Sequence, residues 1–462
     1  MRWWTLPAEE STLDHYRSMI VHGSFYRTLL KLALPMIVFE VVNVSYNLVD
    51  AYWLGFWGGA TFTVPRLVRP TYMFFEAVFM GLGAANLALM SQYIGGRRYE
   101  EAAKTFSRFL TLNIFLGLIL TPTYIEVNDL LVRYVIRAPP EVVGPTLSYA
   151  NIIALDIFLY GLDSTFTNAF QSVGNTKLPA TAGIISSLLN FVLDPILIIG
   201  LAGLPSMGPA GAAAATVISR LAKVLTLAYA FTREFPEIGV RLTRDFDIPW
   251  LKNVIAVGGP MFLRQATNSV GVMIQYSIVN SFGVVATQAY TIGFLFMDIA
   301  EAVVRGSTTP IAVMVGQNLG ARNLDRAREI GIKSSLTMGS VTAAVSLVLF
   351  LAREELARIF TSDPVVLGES MKFLGVFLPT LPFLTLLFVG VAIGRGSGST
   401  LTPLVITLVR MWGMRIFLAY LLSVVVGMGT DGVWISISLG NVVAGIASVV
   451  WIAVGRWCKP IV

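Results

Sequence analysis

The chain has 462 residues, of which 55% are hydrophobic and only 13% are charged, and its formal net charge is +6. Soluble domains carry about 25% charged residues, so this composition, with a mean hydropathy of +0.72, indicates a polytopic membrane protein and argues against a soluble enzyme. The single cysteine, Cys458, excludes a disulfide within the chain and argues against a cysteine-based metal site. Both histidines, His15 and His22, precede the first apolar segment, so a proton relay inside the membrane would use carboxylates.

Twelve apolar stretches are long enough to cross a bilayer, which takes about 20 residues of helix. The predicted fold is therefore an all-α polytopic membrane protein. The expected segments 1 to 12 are 28–55, 64–94, 107–125, 144–171, 177–201, 209–232, 250–280, 286–317, 331–352, 368–392, 399–427 and 431–455. The N-terminal stretch before segment 1 is mixed polar, so we do not expect a cleavable signal peptide.

An even number of segments places both termini on the same side of the membrane. That side holds most of the loop arginines and lysines, including Arg97, Arg98, Arg322 and Arg326, and the positive-inside rule makes it the cytoplasm. We therefore expect a multi-pass protein of the cell membrane with both termini cytoplasmic. We also expect a monomer in the lipid bilayer that does not bind nucleic acid.

The two halves of the chain repeat each other. Pro35 matches Pro260 and Gln92 matches Gln317, each with a shift of 225 positions, and GNTKLP at 174–179 resembles GSTLTP at 224 positions further on. Past that point MGPAGAA resembles MGTDGVW with a shift of 221. Six segments followed by six in the same orientation indicate two lobes related by a parallel pseudo-two-fold repeat. The expected parts are a cytoplasmic N-terminal segment (1–24), an N-lobe (25–232), a cytoplasmic linker (233–249) and a C-lobe (250–462).

Segment 1 carries four polar residues on one helical face, because Glu40, Asn43, Asn47 and Asp50 follow one another at steps of three, four and three. A carboxylate at the centre of a bilayer costs about 2.5–3.5 kcal/mol even on the mildest scale. The structural interpretation is hydrogen bonding and packing between helices. We favour function, since a buried carboxyl group can exchange a proton near neutral pH or hold Na⁺ when it is ionised.

Segments 4 to 6 add further polar positions to the N-lobe. Tyr149, Asp156 and Asp163 share one face of segment 4, with Asn168 beside that face, while Asn190 and Asp194 lie one turn apart in segment 5. The topology places Tyr149, Asp50, Asp194 and, from segment 6, Thr216 at one depth in the outer half of the N-lobe. Glu40 and Asp156 are expected near the midplane. For segment 4, a structural and a functional interpretation remain equally open.

The C-lobe counterpart of the segment 1 stripe keeps its polarity but loses both carboxylates. With the shift of 225, Glu40 corresponds to Gln265, Asn43 to Asn268 and Asp50 to Gln275. Any ionisable function is therefore expected in the N-lobe. Glu301 corresponds to Glu76, and this symmetric pair is expected to belong to the scaffold, with Arg69 and Arg305 as partners.

Several motifs resemble the multidrug and toxic-compound extrusion (MATE) family, in its archaeal and DNA-damage-inducible-type branch, over essentially the whole chain after about residue 25. They are LALPMI and YNLVDAYWLG in segment 1, the QxxG pattern after segments 2 and 8, GNTK after segment 4, NFVLDP in segment 5 and GAAAAT in segment 6. The resemblance implies secondary antiport with no cofactor other than the coupling ion, H⁺ or Na⁺. It also implies a coupling centre made of Asp50, Asp194, Asn190, Tyr149 and Thr216.

The predicted function is the export of small amphipathic, often cationic, organic compounds in exchange for H⁺ or Na⁺, with no catalytic residue. The expected substrate cavity in the N-lobe is lined by Glu40, Asn43, Asn47, Asp156, Asp163 and Asn168. Further candidates are Gln265, Asn268, Gln275 and Glu301.

Two alternatives stay open. One is a flippase for lipids or lipid-linked oligosaccharides, which would need a cationic cavity to hold phosphate. The acidic N-lobe argues against it, and Arg264, Arg305, Arg410 and Arg415 favour it. The other is a membrane enzyme or channel, for which the sequence offers neither a catalytic set nor a ring of pore residues.

Overall fold

The computed structural model describes residues 11–57, 61, 63–136, 138, 140–203 and 205–462. Within its helices, the side chains at 44–52, 55, 202, 295, 298–300, 302 and 303 are not among those described. In this described part, every regular element is a helix and none is a strand. The predicted all-α architecture is confirmed.

A short helix, α1, precedes the membrane segments, and six long helices follow it. In the part of the chain that the structure describes, these are α1 (Thr12–His22), α2 (Phe25–Trp57), α3 (Val64–Gly95), α4 (Tyr99–Leu130), α5 (Pro140–Val173), α6 (Lys177–Pro195) and α7 (Pro209–Glu234). We call α2–α7 the N-lobe.

The second half repeats this order of long helices. It contains α8 (Ile248–Asn280), α9 (Val284–Gly320), α10 (Leu324–Leu351), the short α11 (Arg353–Arg358), α12 (Pro364–Phe377), α13 (Leu381–Ser397), α14 (Leu401–Leu408) and α15 (Thr430–Val454). We call α8–α15 the C-lobe. The helices α12 and α13 form one segment interrupted at Leu378–Thr380, because Pro379 cannot donate the backbone hydrogen bond that a continuous helix needs. Nine spans among the described residues are long and apolar enough to cross a membrane.

Three helices continue beyond their α-helical part as π-helix. They are α4 over Leu131–Ile136, α6 over Ile196–Gly200, and α14 over Val409–Leu418 and again over Leu421–Val425. π-Helices are rare and usually last a single turn, so the ten-residue stretch in α14 is unusual. The pattern of apolar residues does not predict it.

The two lobes pack closely against each other where α3 and α9 end. A Cβ atom on Gly95 would lie 2.0 Å from the carbonyl oxygen of Gln317, and one on Gly320 would lie 1.8 Å from that of Gln92. Each glutamine also donates a hydrogen bond to the other lobe. Gln92 donates to the carbonyl of Gly396 at 3.0 Å, and Gln317 donates to that of Ser172 at 2.7 Å.

The helix α1 and the C-terminal residues meet this crossing. Arg17 of α1 donates to the carbonyl oxygen of Gly95 at 2.7 Å, and the backbone N–H of Ile461 donates to Oε1 of Gln92 at 2.8 Å. The side of the molecule that carries α1 and the C-terminal residues, which we call the terminal side, is therefore a side on which the lobes contact each other.

Candidate functional site

A cavity of about 110 Å³ lies inside the N-lobe between α2, α6 and α7. Its lining residues are Phe39, Asn43, Gly183, Ser186, Ser187, Asn190, Thr216, Ser219, Arg220 and Lys223. Three of the residues predicted from the sequence, Asn43, Asn190 and Thr216, therefore meet at one cavity.

The predicted coupling residues of α6 and α7 are in contact beside this cavity. Asp194 is 0% exposed. In the amide orientation that satisfies both neighbours, Asn190 donates to Oδ2 of Asp194 at 3.0 Å and accepts from the backbone N–H of Thr216 at 3.1 Å. The helix α6 thus presents the buried carboxylate of Asp194. One turn earlier, Asn190 connects that carboxylate to α7 through its two hydrogen bonds.

Tyr149 approaches the same region from α5. It packs against a small apolar cluster of Leu54, Ile198 and Ala212, and the hydroxyl of Thr216 donates to the carbonyl of Ala212 at 3.1 Å. Asn47 and Asp50 lie in the helical part of α2, but their side chains are outside the described residues. Their predicted roles stay predictions.

The acids of α5 form ion pairs with two cations of α7. Nε of Arg220 lies 2.5 Å from Oδ1 of Asp156, and Nζ of Lys223 lies 2.8 Å from Oδ2 of Asp163. The hydroxyl of Tyr72 donates to the other oxygen of Asp156. The guanidinium of Arg220 also lies over the ring of Tyr160, 5.2 Å from its centroid.

Arg220 and Lys223 were not singled out in the sequence, although they change the electrostatics of the N-lobe. Asp156 is 1% exposed and is covered by its partner, while both cations line the cavity. The N-lobe interior is therefore not simply acidic. The signal that could have revealed these residues is two cations nearly one turn apart within an apolar segment, since such groups need partners in a membrane.

Glu40 lies at the contact between the lobes. Nε of Arg305 in α9 is 3.5 Å from Oε2 of Glu40, and its Nη1 is 3.2 Å from Oε2 of Glu301. Asn168, by contrast, donates to the carbonyl of its own-helix neighbour Ser164 at 2.7 Å and is not among the residues that line the N-lobe cavity.

The predicted C-lobe residues are not among those that line the N-lobe cavity. Gln265 and Asn268 are partly buried, and Gln275 is 0% exposed. Glu301 lines a small space of about 10 Å³. Among the residues that the structure describes, no group of three or more His, Cys, Asp or Glu side chains is arranged to hold a metal ion.

Two C-lobe arginines, Arg264 of α8 and Arg395 of α13, lie close enough to repel each other. Neither guanidinium forms an ion pair or a hydrogen bond with any residue that the structure describes, and Nε of each is buried. These two cations therefore differ from Arg220 and Lys223, which are neutralised by acids.

Comparisons with known proteins agree with this architecture. The model of the MatE family matches residues 35–196 and 260–421, one match in each lobe. The "Probable multidrug resistance protein NorM" of Thermotoga maritima is 25% identical over 94% of this chain and 93% of its own length.

Solved structures are similar over almost the whole chain. The "Crystal structure of MATE in the bent conformation" aligns with a TM-score of 0.87 at 25% identity, covering 95% of this chain and 97% of that one. A transporter of the MOP superfamily from Pyrococcus furiosus aligns with a TM-score of 0.84 at 25% identity, covering 94% and 97%. For that transporter, a reverse polarity of the binding pocket suggests a different function.

Proposed function

The chain belongs to the MatE family of membrane transporters, and on this premise we propose that it is a multidrug efflux antiporter. It exports amphipathic, often cationic, organic compounds in exchange for H⁺ or Na⁺, and the N-lobe carboxylates carry the coupling ion. The names of similar proteins support multidrug export. We further propose that it works as a monomer in the cell membrane with both termini in the cytoplasm.

The observation that supports ion coupling is the environment of Asp194. This carboxyl group is fully buried, yet Asn190, which donates to it and accepts from the backbone N–H of Thr216, lines the N-lobe cavity together with Thr216. Burial disfavours the ionised form, so binding of H⁺ or Na⁺ would lower the free energy of the carboxylate in place. Asp50, one of the predicted partners on α2, would share this ion.

The proposal requires that the carboxylates, rather than polarity alone, drive transport. We expect wild-type proteoliposomes to export substrate when a pH gradient or a Na⁺ gradient is imposed separately, and whichever gradient works identifies the ion. Asp194→Asn and Asp50→Asn should each abolish gradient-driven efflux while the protein keeps its elution profile in detergent.

Asp431→Asn is the matched control, because Asp431 is an exposed acid in the first turn of α15 and should transport as the wild type does. Wild-type rates in either the Asp50 or the Asp194 variant would refute the proposed coupling role.

A flippase remains the second candidate, and the cations favour it. Arg220 and Lys223 line the N-lobe cavity, and the uncompensated Arg264 and Arg395 lie within the C-lobe. Guanidinium groups bind phosphate well. Dithionite quenching of a fluorescent phospholipid in proteoliposomes separates the two functions. Antiport predicts lipid movement no faster than in protein-free vesicles, whereas a flippase predicts faster movement.

A further inference from the structure

Two arginines on the π-helical stretch of α14 are buried with incomplete partners. Arg410 is 6% exposed and Arg415 is 3% exposed. Arg410 donates from Nε to the side-chain oxygen of Asn441 at 3.1 Å. Nε and Nη2 of Arg415 have no hydrogen-bond partner among the described residues, and the two guanidinium groups repel each other. Burying like charges without a counter-charge is costly, so this pair needs an explanation.

The π-helical winding places both arginines on the same side of α14. In an α-helix, residues five apart point about 140° away from each other. A π-helix closes its hydrogen bonds from i to i+5, so Arg410 and Arg415 within Val409–Leu418 align. π-Helical insertions are frequent at functional sites, and here the insertion concentrates positive charge instead of separating it.

A third unsatisfied group comes from α8. A Cβ atom on Gly271 would lie 2.3 Å from Cγ of Met411, so α8 and α14 approach closely at this level. Four reversals of the chain separate the two helices, so they run in the same direction. Gln275 lies four residues after Gly271 on α8, and Arg415 lies four residues after Met411 on the continuation of α14. Gln275 is 0% exposed, and neither atom of its amide has a hydrogen-bond partner among the described residues.

The side chains that the structure describes around this pair leave an excess of positive charge. Glu301 attracts both Arg410 and Arg415, but it also forms the ion pair with Arg305 at 3.2 Å. Because Glu40 also pairs with Arg305, at 3.5 Å, two carboxylates face three guanidinium groups among the side chains that the structure describes. The ring of Phe294 lies 5.6 Å from the Arg415 guanidinium carbon. An aromatic ring lowers the local dielectric, which strengthens the electrostatic interactions of a charge that lacks a full counter-charge.

We infer that Arg410, Arg415 and Gln275 bind a small inorganic anion of the size of chloride within the C-lobe. An anion accepts from every unsatisfied N–H donor and offsets the repulsion between the two guanidinium groups. The small size follows from the burial of all three side chains and from the aromatic wall beside them. This site is separate from the N-lobe cavity and does not depend on the direction or substrate of transport.

Equilibrium binding in detergent tests the inference without any transport measurement. We expect the thermal unfolding midpoint of the purified protein to rise saturably with chloride in a gluconate buffer of constant ionic strength. Binding of ³⁶Cl⁻ should saturate at one ion per chain. Arg415→Gln and Gln275→Leu should each weaken that binding about tenfold or more. Arg415→Lys, which keeps the charge but not the planar fork, should bind with intermediate affinity.

Arg358→Gln is the control, because Arg358 is an exposed arginine paired with Glu354 in α11, and it should bind chloride as the wild type does. If Arg415→Gln does not fold, the uncharged substitution Gln275→Leu still tests the site. Equal unfolding midpoints in chloride and gluconate without ³⁶Cl⁻ binding would overturn the inference, as would binding that neither variant weakens. Failure of efflux with intact chloride binding would affect only the proposed function.

Discussion

The N-lobe and the C-lobe place different chemistry at equivalent positions. In the N-lobe, Arg220 of α7 contacts Asp156 of α5 at 2.5 Å. With the shifts of 221 and 224 that relate these parts of the repeat, the counterparts are Asn441 and Thr380, and Asn441 donates to the hydroxyl of Thr380 at 3.1 Å. An ion pair on a buried carboxylate in one lobe is therefore a neutral hydrogen bond at the equivalent positions of the other.

The difference in charge between the lobes extends further along α5 and α7 and along their C-lobe counterparts. The second N-lobe pair, Lys223 with Asp163, corresponds to Ala444 and Leu387 in the C-lobe, and both of these belong to its apolar core. In the helices that follow α5 and α13, the signs are opposite, because α6 carries Asp194 and α14 carries Arg410 and Arg415. One backbone arrangement thus supports a paired, ionisable interior and an apolar interior with buried cations.

The largest expected effect tests whether the stability of the fold requires the N-lobe ion pair. Arg220→Gln leaves Asp156 buried without its cation, and loss of one partner from a buried pair costs about 3–5 kcal/mol. The double variant Arg220→Gln with Asp156→Asn recreates a neutral pair like that of the C-lobe and should recover much of this loss. The free energy of unfolding, measured in mixed micelles of dodecylmaltoside and sodium dodecyl sulfate, reports both values.

The matched C-lobe change is Thr380→Val, which removes a neutral hydrogen bond and should cost about 1 kcal/mol. An Arg220→Gln variant as stable as Thr380→Val would mean that the two lobes hold their interiors with interactions of equal strength. In that case the electrostatic contrast between them would have no energetic consequence.

The next largest expected effect is at a pair of equivalent glycines, where the two lobes have the same close contact. Gly95→Ala and Gly320→Ala each drive a Cβ atom against a backbone carbonyl of the opposite lobe, at 2.0 Å and 1.8 Å before relaxation. Both should lower the free energy of unfolding by about 1–3 kcal/mol, and by similar amounts. Gly368→Ala in α12 is the control, since no atom lies within 4 Å of its Cβ position. Markedly unequal costs for Gly95 and Gly320 would break the symmetry of the crossing.

The smallest effect concerns the loops at the terminal side. Arg97 and Arg322 lie 225 positions apart and share a left-handed backbone, with φ of 57° and 58°. Among the described residues, only Arg97 of these two has an acid, Asp14, at 3.4 Å. The hydrogen bond from Tyr99, together with one from the Ser11 hydroxyl and the charge of Arg97, holds the pKa of Asp14 below its ordinary value of 3.8.

Because the pKa of Asp14 is lower in the folded state, its contribution to stability is fully present above pH 3.8 and declines as the pH falls through the folded value. We expect the hydrogen-exchange protection factors of α1, corrected for the intrinsic pH dependence of exchange, to fall in that acidic range, and Asp14→Asn to show the lower protection already at neutral pH. Exchange around Arg322 should not change with Asp14. A protected α1 at low pH in the wild type would contradict this role for the carboxylate.

The sequence predicted the features that repeat and missed those that depend on facing partners. The pairs Pro35 with Pro260 and Gln92 with Gln317 indicated two parallel repeats, and the topology predicted one depth for Asp194 and Thr216. The partners of Asp156 and Asp163 could not be assigned, because helical periodicity gives the buried face of a segment but not the segment that it meets. The alignment of Arg410 with Arg415 was also hidden, since a 3.6-residue period cannot report a π-helical stretch.

The hydrogen bonds that the two glutamines make between the lobes should tolerate mutation differently at the donor residue and at the acceptor residue. Gln92 and Gln317 contribute side chains, whereas their acceptors at Gly396 and Ser172 are backbone carbonyls, which any residue provides. Ser172 can therefore change its side chain without losing the bond, while Gly396 is restricted for another reason, because a Cβ atom there would lie 2.1 Å from the carbonyl of Ala312. In a saturation mutagenesis experiment we expect intolerance at both glutamines and at Gly396, and wider variation at Ser172.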